Sequence, residues 1–386
     1  MSETLKIAHI PSLTWNRLGV NETLVEGDLA LTGDVDTRFE TLPDGVTSRT
    51  LSPEEAKAFL AEHAPKEAPE AVVAGKVPIY HPQTFGTGLG ADFDAYLAQG
   101  VKEVTLLETA DNLTLTEPIR WDIECREGNH VAGSELIHVG RNSSLTLILC
   151  VHSDEKASGV FGNSTKVVLE DGASLTLAKV QMLGSGFTDF EDTGAALKDN
   201  AHLDVIQLSL GGKASYLGCQ SELNGKGSTM EAHTGYIAGR DQTVDVNYNT
   251  IQRGQKTDCQ MHFDGVLDHN GQKTFRGTID FRKGAKGSTG DEQENVLLLS
   301  EDPLNRTLPI ILCEEEDVEG RHGASIGRLE DDMLFYLATR GISERQAQEI
   351  MVRARLSAIT RLIPDETLQI DIRDFIEDAF RKKTLS

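Results

Sequence analysis

The sequence lacks a long apolar run, and it carries far fewer basic than acidic residues. A helix that crosses a bilayer needs about 20 consecutive apolar residues, and no such run occurs in the 386 residues. The 37 basic residues stand against 61 acidic ones, and the formal net charge is −24. A surface this acidic repels the phosphates of nucleic acids and anionic lipids, and the largest basic cluster is residues 381–383. We therefore expect neither a nucleic-acid nor a membrane partner.

Paired cysteines and a secretory signal are also missing. The five cysteines are scattered and include no C-x-x-C pair: Cys125, Cys150, Cys219, Cys259 and Cys313. An odd number without regular spacing favours free thiols in a reducing compartment over disulfides or a preformed zinc site. The first 20 residues have no basic segment followed by an apolar core, which argues against a secretory signal. The expected location is the cytoplasm.

Aromatic residues make up only 5% of the chain, whereas glycine is frequent, with 36 copies. From residue 101 onward apolar residues alternate with polar ones, as they do in β-strands. Three similar segments, VGRNSSLTL, LEDGASLTL and LKDNAHLDV, each pass from a polar turn into such a strand. Their matching leucines are 30 and 28 residues apart: Leu145, Leu175 and Leu203.

A near-constant spacing of this kind is typical of stacked coils, because one coil cannot bury its apolar face alone. The narrow interior of such a stack is filled by Leu, Val, Ile and Ala, which suits a chain with few aromatic residues. We therefore predict a mainly β protein with a parallel β-helix over residues 101–327. A β-sandwich, whose turns recur about every 8 to 12 residues, stays open as the alternative.

Helical segments precede these strands. Ser52, Pro53 and Glu55 predict a helix start with a capping box, and GADFDAYLAQG predicts a second, short helix that ends at Gly100. Four prolines between the two helices predict a stiff, extended connector: Pro65, Pro69, Pro78 and Pro82. Residues 1–100 are accordingly predicted to form an N-terminal mixed helical domain.

The helical period returns after residue 327. One helix is closed by Gly341, and Ser343 opens the next, with Gln346 completing a capping box. An apolar stripe at helical spacing follows: Ala347, Ile350, Met351, Ala354, Ala358 and Leu362. A last amphipathic helix comes after Pro364. Residues 328–386 are predicted to form a C-terminal helical domain that packs on the β-helix or on a partner.

His322 is the titratable residue of most interest, because imidazole ligates iron or zinc and carries protons near neutral pH. The acidic run of residues 314–317 precedes it, and in a strand these side chains would point alternately to two faces. From the residues alone, a polar role at a strand–helix junction is favoured for His322. Cys313 ends an apolar strand, where a buried, inert thiol is favoured over a metal-binding or sulfur-accepting thiolate.

No complete catalytic set is present in the sequence. The stretch FRKGAKGSTGDEQENVLLL lacks the order G-x-x-x-x-G-K-[ST] of a phosphate loop, and a strand follows its glycines. There is neither a recognisable nucleophile–base triad nor a helical H-E-x-x-H. The residues therefore indicate a binding or scaffold subunit that does not hydrolyse ATP, and no enzyme activity is expected.

Three motifs carry a family resemblance. WNRLGVN, RGTIDFRKGAKGSTGDEQENVLLLSED and EGRHGASIGRLEDDMLFYLATRGISERQAQEIM resemble the SufB/SufD family of the Suf iron–sulfur cluster assembly machinery. The resemblance is densest over residues 276–358 and is closer to the SufD members than to the SufB members. It implies a right-handed parallel β-helix flanked by an N-terminal domain and a C-terminal helical domain, in agreement with the repeat.

The resemblance also implies partners. Family members pair through their β-helices, as a SufB–SufD heterodimer or as a SufD homodimer, and each C-terminal helical domain docks a SufC ATPase. No intrinsic cofactor is expected, but a transient iron–sulfur cluster or iron, and in some complexes a flavin, belongs to the assembled complex. The H-G-A motif assigns the family's interface histidine, an iron or cluster ligand, to His322.

The ATPase contact implied by the resemblance lies on the first C-terminal helix and the turn after it. We expect Leu334, Phe335, Tyr336, Arg340, Gly341 and Ile342 to take part, although some of the apolar members would instead pack within the helical domain. Some SufD sequences have a cysteine two residues before the histidine, where this chain has Gly320. Cys313 is then the remaining thiol candidate near the site.

Two other functions stay open from the sequence. The first is a SufB-like cluster scaffold, which would need a sulfur-accepting cysteine well upstream of the histidine motif, whereas this chain has none between Cys259 and Cys313. The second is a β-helix polysaccharide lyase or hydrolase, in which acidic clusters and a lone histidine could be catalytic. The absent secretory signal and the free thiols argue against the second function.

Overall fold

The computed structural model describes residues 3–12, 14, 16–35, 39, 41–63 and 85–381. The predicted connector with Pro65, Pro69, Pro78 and Pro82 lies outside these residues. The N-terminal part has four short strands and two helices: β1 Glu3–Ile7, β2 Thr23–Gly27, β3 Gly33–Asp34, β4 Val46–Leu51, α1 Pro53–His63 and α2 Ala91–Leu97. The capping box at the start of α1 is confirmed, since Ser52 N donates to Glu55 Oε2 at 2.8 Å and Glu55 N donates to Ser52 Oγ at 3.2 Å.

Sixteen strands follow without an intervening helix. Their bounds are β5 Val104–Thr109, β6 Ile119–Cys125, β7 Asn129–Val139, β8 Ser144–Ser153, β9 Ser158–Leu169, β10 Ser174–Met182, β11 Gly186–Leu197, β12 His202–Ser209, β13 Ala214–Leu223, β14 Thr229–Ala238, β15 Thr243–Gln252, β16 Asp258–Leu267, β17 Gln272–Phe281, β18 Ser288–Leu298, β19 Leu304–Cys313 and β20 Val318–Arg328.

These strands alternate between two parallel sheets. The even-numbered strands from β6 to β20 form one sheet, and the odd-numbered strands from β5 to β19 form the other, with β4 antiparallel on its edge. Each coil thus adds one strand to each sheet, and the predicted parallel β-helix is confirmed. The β-sandwich alternative is wrong, because its sheets would be antiparallel. The three leucines of the repeat are direct partners, Leu145 with Leu175 and Leu175 with Leu203.

Inward side chains of successive coils stack into the core. Leu145, Leu175 and Leu203 are almost fully buried there, which explains why the apolar position recurs once per coil. On the outer face of the odd-numbered sheet, α2 packs Phe93 and Tyr96 against Phe190, with ring centroids 5.5 and 5.9 Å apart. The N-terminal part therefore covers one face of the β-helix.

Three helices form the C-terminal part: α3 Asp331–Ala338, α4 Glu344–Thr360 and α5 Glu366–Arg381. The expected packing of the helical tail on the β-helix is observed, because Val352 and Leu356 of α4 pack with Ile206 and Leu208 on the outer face of the even-numbered sheet. A Cβ on Gly235 would lie 2.6 Å from Leu208 Cδ2 and 3.1 Å from Leu356 Cδ2. Glycine at that position lets the helix approach the sheet.

Of the apolar stripe proposed for α4, only Ala347 belongs to the fully buried face, and Met351 packs at its margin. The buried residues are Ala347, Gln348, Val352, Leu356, Ile359 and Thr360. Ile350, in contrast, is 52% exposed and Leu362 is 42% exposed. The apolar residues of this helix cover more than one face, and contact with the side chains of the underlying sheet decides which face is buried.

Within the described residues, no helix is long and apolar enough to span a membrane. The division of the chain at residues 100 and 327 stays a prediction.

Candidate functional site

The last coil of the β-helix, made of β19 and β20, is uncovered. Within the described part of the chain β19 pairs only with β17 and β20 only with β18. Every residue of β20 except Val318 is exposed, whereas the inward positions of β18 beneath it are buried. Both sheets therefore end here in an edge strand with one row of unpaired N–H and C=O groups.

His322 lies in the middle of β20 at an inward position. It is the register partner of Glu292, which in turn is the partner of Met261, and both of these residues are buried. In any earlier coil the ring would be covered by the next strand, but at the last coil it is exposed. Among the described residues none forms a hydrogen bond or an ion pair with this imidazole, so both ring nitrogens are available to a ligand.

Glu292, directly beneath His322 in the stack, is a buried carboxyl group. A Cβ on Gly277 would lie 2.1 Å from Glu292 Oε2, so the glycine provides the space that the carboxyl group occupies. Oε2 has no hydrogen-bond partner among the described residues. Burial raises the pKa of Glu292 to about 8, and the negative charges of Glu294 and Asp291 act in the same direction. This carboxyl group therefore holds a proton near neutral pH.

A buried hydrogen-bond network lies beside Glu292. Glu294 Oε1 accepts from Lys273 Nζ at 2.5 Å and from Tyr236 Oη at 2.7 Å, and Glu294 Oε2 accepts from Thr307 Oγ1 at 2.7 Å. Burial lowers the pKa of Lys273, although the Glu294 carboxylate opposes that shift. Because Thr307 belongs to β19, the network ties the last coil to the coils beneath it.

Cys313 is the exposed cysteine of the chain, so the expectation of a buried thiol is wrong for this residue. It ends β19 at the inward position above Phe281, where no further coil covers it, and its Sγ donates to the Glu315 carbonyl oxygen at 2.9 Å. The expectation holds for the other four cysteines, which are buried. Burial raises the pKa of Cys125, Cys150 and Cys219 to about 12.

The acidic run of residues 314–317 forms the turn between β19 and β20, so the alternation expected for a strand is wrong. Hydrogen bonds to the preceding coil hold this turn: Gly284 N donates to Glu315 Oε2 at 3.0 Å, and Gly287 N donates to the Asp317 carbonyl oxygen at 2.6 Å. The Glu315 carboxylate and the Asp317 carbonyl oxygen thus accept from backbone donors at one side of the stack.

Gly320 lies at the inward position two residues before His322. A Cβ there would be 2.9 Å from Phe281 Cε2 and 3.2 Å from Ile311 Cδ1. The aromatic ring of Phe281 fills the space that a larger side chain would need. A cysteine at this position is therefore incompatible with this packing unless Phe281 shifts.

The six residues expected to contact an ATPase lie on α3 and the turn after it. Phe335 is 72% exposed and Tyr336 is 52% exposed, and the guanidinium of Arg340 lies 4.9 Å from the centroid of the Tyr336 ring. Gly341 has a φ of +82° and Ile342 N donates to the Leu337 carbonyl oxygen at 3.1 Å, as in a Schellman motif. Leu334 and Ile342 are half-buried. Their role in docking stays a prediction.

Sequence reasoning missed Glu292, Glu294 and Lys273. A signal for the two glutamates was present: in STGDEQENVLL they alternate in phase with Val296, an apolar residue that faces inward. The space at Gly277 had no sequence signal, since glycine is frequent throughout the chain.

Comparisons with known proteins bear on this arrangement. Residues 123–355 match the family model described as SUF system FeS cluster assembly, SufBD core domain. The iron-sulfur cluster assembly protein SufD of Bacillus subtilis is 26% identical over 251 residues, which cover 64% of this chain and 56% of that protein. An iron-sulfur cluster assembly SufBD family protein of Staphylococcus saprophyticus is 21% identical over 217 residues, 56% of this chain and 47% of the relative. The chain spans about half the length of these relatives.

Proposed function

This chain belongs to the SufBD family of iron–sulfur cluster assembly proteins, and from that premise we propose that it is a SufD-like scaffold subunit without catalytic activity of its own. The observation that carries the proposal is the uncovered last coil, where His322 is exposed above the buried carboxyl group of Glu292. The edge strands β19 and β20 lie at the same end of the β-helix. This arrangement favours pairing with another β-helix, because each edge offers a row of backbone donors and acceptors. The proposed partner there is a SufB-like paralogue, or a second copy of this chain when the paralogue is absent.

In the proposed complex His322 ligates iron or a nascent iron–sulfur cluster at the subunit interface. The cluster is cargo rather than a resident cofactor of this chain. A neutral imidazole nitrogen is a good iron ligand, and the His322 ring is exposed at the last coil, where a partner could supply further ligands. Cys313, on the neighbouring edge strand β19, is a second proposed ligand. A flavin stays a prediction for the assembled complex only.

A SufC-like ATPase is the second proposed partner, and α3 is its proposed docking surface. The exposed aromatic residues Phe335 and Tyr336 and the adjacent Arg340 are residue types that dominate binding energy at interfaces. The proposed place of action is the cytoplasm, where the four buried thiols would remain reduced. The relatives are assembly proteins, which favours this function over a polysaccharide lyase, and the absence of a cysteine between Cys259 and Cys313 favours the SufD type over the SufB type.

The test is reconstitution with the SufB-like and SufC-like proteins of the same source. We expect His322→Ala to leave complex formation intact and to lower the iron and sulfide bound per complex by about 10-fold, because a metal site loses a ligand. The matched control is His9→Ala, since His9 is an exposed histidine of the N-terminal part. Iron and sulfide analysis of the purified complex gives the result. Equal loading of the His322→Ala and wild-type complexes would contradict the ligand role, and failure of the wild-type chain to bind either partner would contradict the scaffold function.

A further inference from the structure

Three side chains with metal-ligating atoms converge where α1 meets the β-helix, away from the last coil. His63 is the final residue of α1, His138 lies near the end of β7, and Glu170 directly follows β9. One ligand atom from each of the three lies within 4.8 Å of the other two. The side chains are only 14%, 22% and 16% exposed, so this is a half-buried group rather than a solvated cluster of surface charges.

One hydrogen bond orients the ring of His63 and leaves its Nε2 facing the Glu170 carboxylate. Its Nδ1 lies 2.8 Å from the Phe59 carbonyl oxygen, which can only accept, so Nδ1 carries the proton. Nε2 of the neutral ring then presents its lone pair, and Glu170 Oε1 lies 3.9 Å away. Metal-binding histidines are oriented in this way, by donation of the other ring N–H to a carbonyl or carboxylate.

The ring of His138 lies between two carboxylates. Its Nδ1 is 3.2 Å from Glu108 Oε1, and its Nε2 is 3.3 Å from Glu170 Oε1. A neutral ring has one N–H, so when Nδ1 donates to Glu108 the Nε2 lone pair faces a carboxylate oxygen. Two acceptors at this distance repel each other unless a cation lies between them. In that tautomer of His138, Glu170 Oε1 faces a lone pair from each of the two imidazoles.

The spacing suits a small divalent metal ion. Bonds of about 2.0–2.2 Å in a tetrahedral site separate neighbouring ligand atoms by about 3.3–3.5 Å, close to the 3.3 and 3.9 Å found here. Phe59 lies against both rings, with centroid distances of 4.7 Å to His63 and 5.3 Å to His138, and forms an apolar wall. Lys198 Nζ lies 2.7 Å from both oxygens of Glu170 and can retain Oε2 when Oε1 binds a metal.

We propose that His63, His138 and Glu170 bind one divalent transition-metal ion, of the Fe²⁺-to-Zn²⁺ series, which ties α1 to the β-helix. Two imidazoles and one carboxylate suit these ions rather than Mg²⁺ or Ca²⁺, which prefer oxygen ligands alone. Three protein ligands leave one coordination position open to water or another ligand. Glu108 and the Phe59 carbonyl oxygen orient the two imidazoles. This site is independent of the proposed function and shares no residue with the last coil.

The test uses the full-length chain stripped of metal with a chelator. Zn²⁺ is titrated in competition with a chromophoric chelator, and the absorption spectrum of the Co²⁺-loaded chain reports its ligand geometry. We expect one Zn²⁺ per chain, bound at least about 100-fold more weakly by His138→Ala and by Glu170→Gln. His130→Ala is the matched control, since it removes a half-buried histidine of the same strand. Because the ion joins α1 to the coil, Zn²⁺ is also expected to raise the unfolding temperature of the wild type and the control only.

Two results would overturn the proposal. One is the absence of saturable one-to-one binding by the wild type, or equal binding by wild type and variants. The other is stabilisation of the wild type by mild acid without any response to Zn²⁺, which would assign the two imidazoles to protonated ion pairs with Glu108 and Glu170. Circular dichroism checks that each variant is folded, and His63→Ala, at the end of α1, replaces any variant that is not.

Discussion

Several residues of the β-strands carry ionisable side chains that are buried inside the β-helix. Glu135 of β7 is fully buried among inward side chains, with Thr165 Oγ1 donating to its Oε2 at 3.2 Å and no hydrogen-bond partner for Oε1 among the described residues. Burial raises its pKa to about 8. The Glu191 carboxylate adds to the shift, and the Lys179 ammonium opposes it. A buried carboxyl group of this kind is tolerated inside the stack because it holds a proton. The folded state is therefore destabilised when alkaline pH removes that proton.

The first prediction concerns Glu135→Gln. The folded state keeps the Glu135 proton up to about pH 8, whereas the unfolded chain releases it near the ordinary value of 4.5. The folded state therefore binds more protons between these values, and the wild type loses stability as the pH rises through them. Glutamine cannot ionise. The free energy of unfolding of the variant, relative to that of the wild type, should therefore rise by up to about 1.4 kcal/mol per pH unit in this window.

Urea unfolding at pH 5.5 and pH 8 measures this difference directly. Glu124→Gln is the control, because Glu124 is a 59% exposed carboxylate on the neighbouring strand β6, and its replacement should leave the pH dependence unchanged. Parallel pH dependences for wild type and Glu135→Gln would contradict the buried, protonated state.

At the scale of elements, α3 differs from the other C-terminal helices. The helices α4 and α5 bury their apolar faces on the even-numbered sheet, whereas α3 leaves Met333, Phe335 and Tyr336 at least half exposed. The helix ends in the turn at Gly341, where Ile342 N donates to the Leu337 carbonyl oxygen. An exposed aromatic surface with a stacked guanidinium is typical of a protein contact site.

The second prediction is that Tyr336→Ala combined with Arg340→Ala weakens association with the SufC-like ATPase. Loss of two central contact residues should cost about 2 kcal/mol or more, about 30-fold in affinity, without unfolding the β-helix, which neither residue contributes to. Calorimetric titration with the ATPase measures the change. Ile370→Ala, which removes a 48% exposed apolar side chain of α5, is the control. Unchanged affinity of the double variant would move the docking surface elsewhere.

Helix prediction from the sequence succeeded where the signal is local and failed where it is not. The capping boxes at Ser52 and Ser343 and the closing glycine at Gly341 were all predicted, because each depends on hydrogen bonds within one turn of the residue. The buried face of α4 was missed except at Ala347. Ile350 is as apolar as the buried Ile359, and only contact with the sheet distinguishes them.

At the scale of the whole molecule, the β-helix is covered on its faces but open at one end. The N-terminal elements cover the odd-numbered sheet and α4 and α5 cover the even-numbered sheet, while β19 and β20 leave inward positions exposed. A stack of identical coils has no internal reason to stop at a given coil, so its end must be covered by a cap or a partner. No cap is present in the described part of the chain.

The third prediction uses Cys313 as a reporter of that end. A maleimide should label one thiol per native chain rapidly, because the other four cysteines are buried with raised pKa values and thiolates are the reactive form. Addition of the SufB-like partner should slow this labelling about 10-fold or more by covering β19. Mass spectrometry of the labelled chain counts the sites, and Cys313→Ser, which should label none, is the control. Labelling that the partner leaves unchanged would place the pairing surface away from the last coil.

The order of the residues specifies the coil repeat, the helix starts at Ser52 and Ser343 and the family, because each depends on residues that are neighbours along the chain or recur at one spacing. The tertiary structure alone decided which coil is last, and with it that Cys313 and His322 are exposed at positions that earlier coils bury. It also decided that the carboxyl group of Glu292 fills the space left by Gly277, and that His63, His138 and Glu170 meet. Stacking brings these groups together across separate coils, and proximity of that kind has no signature in the order of the residues.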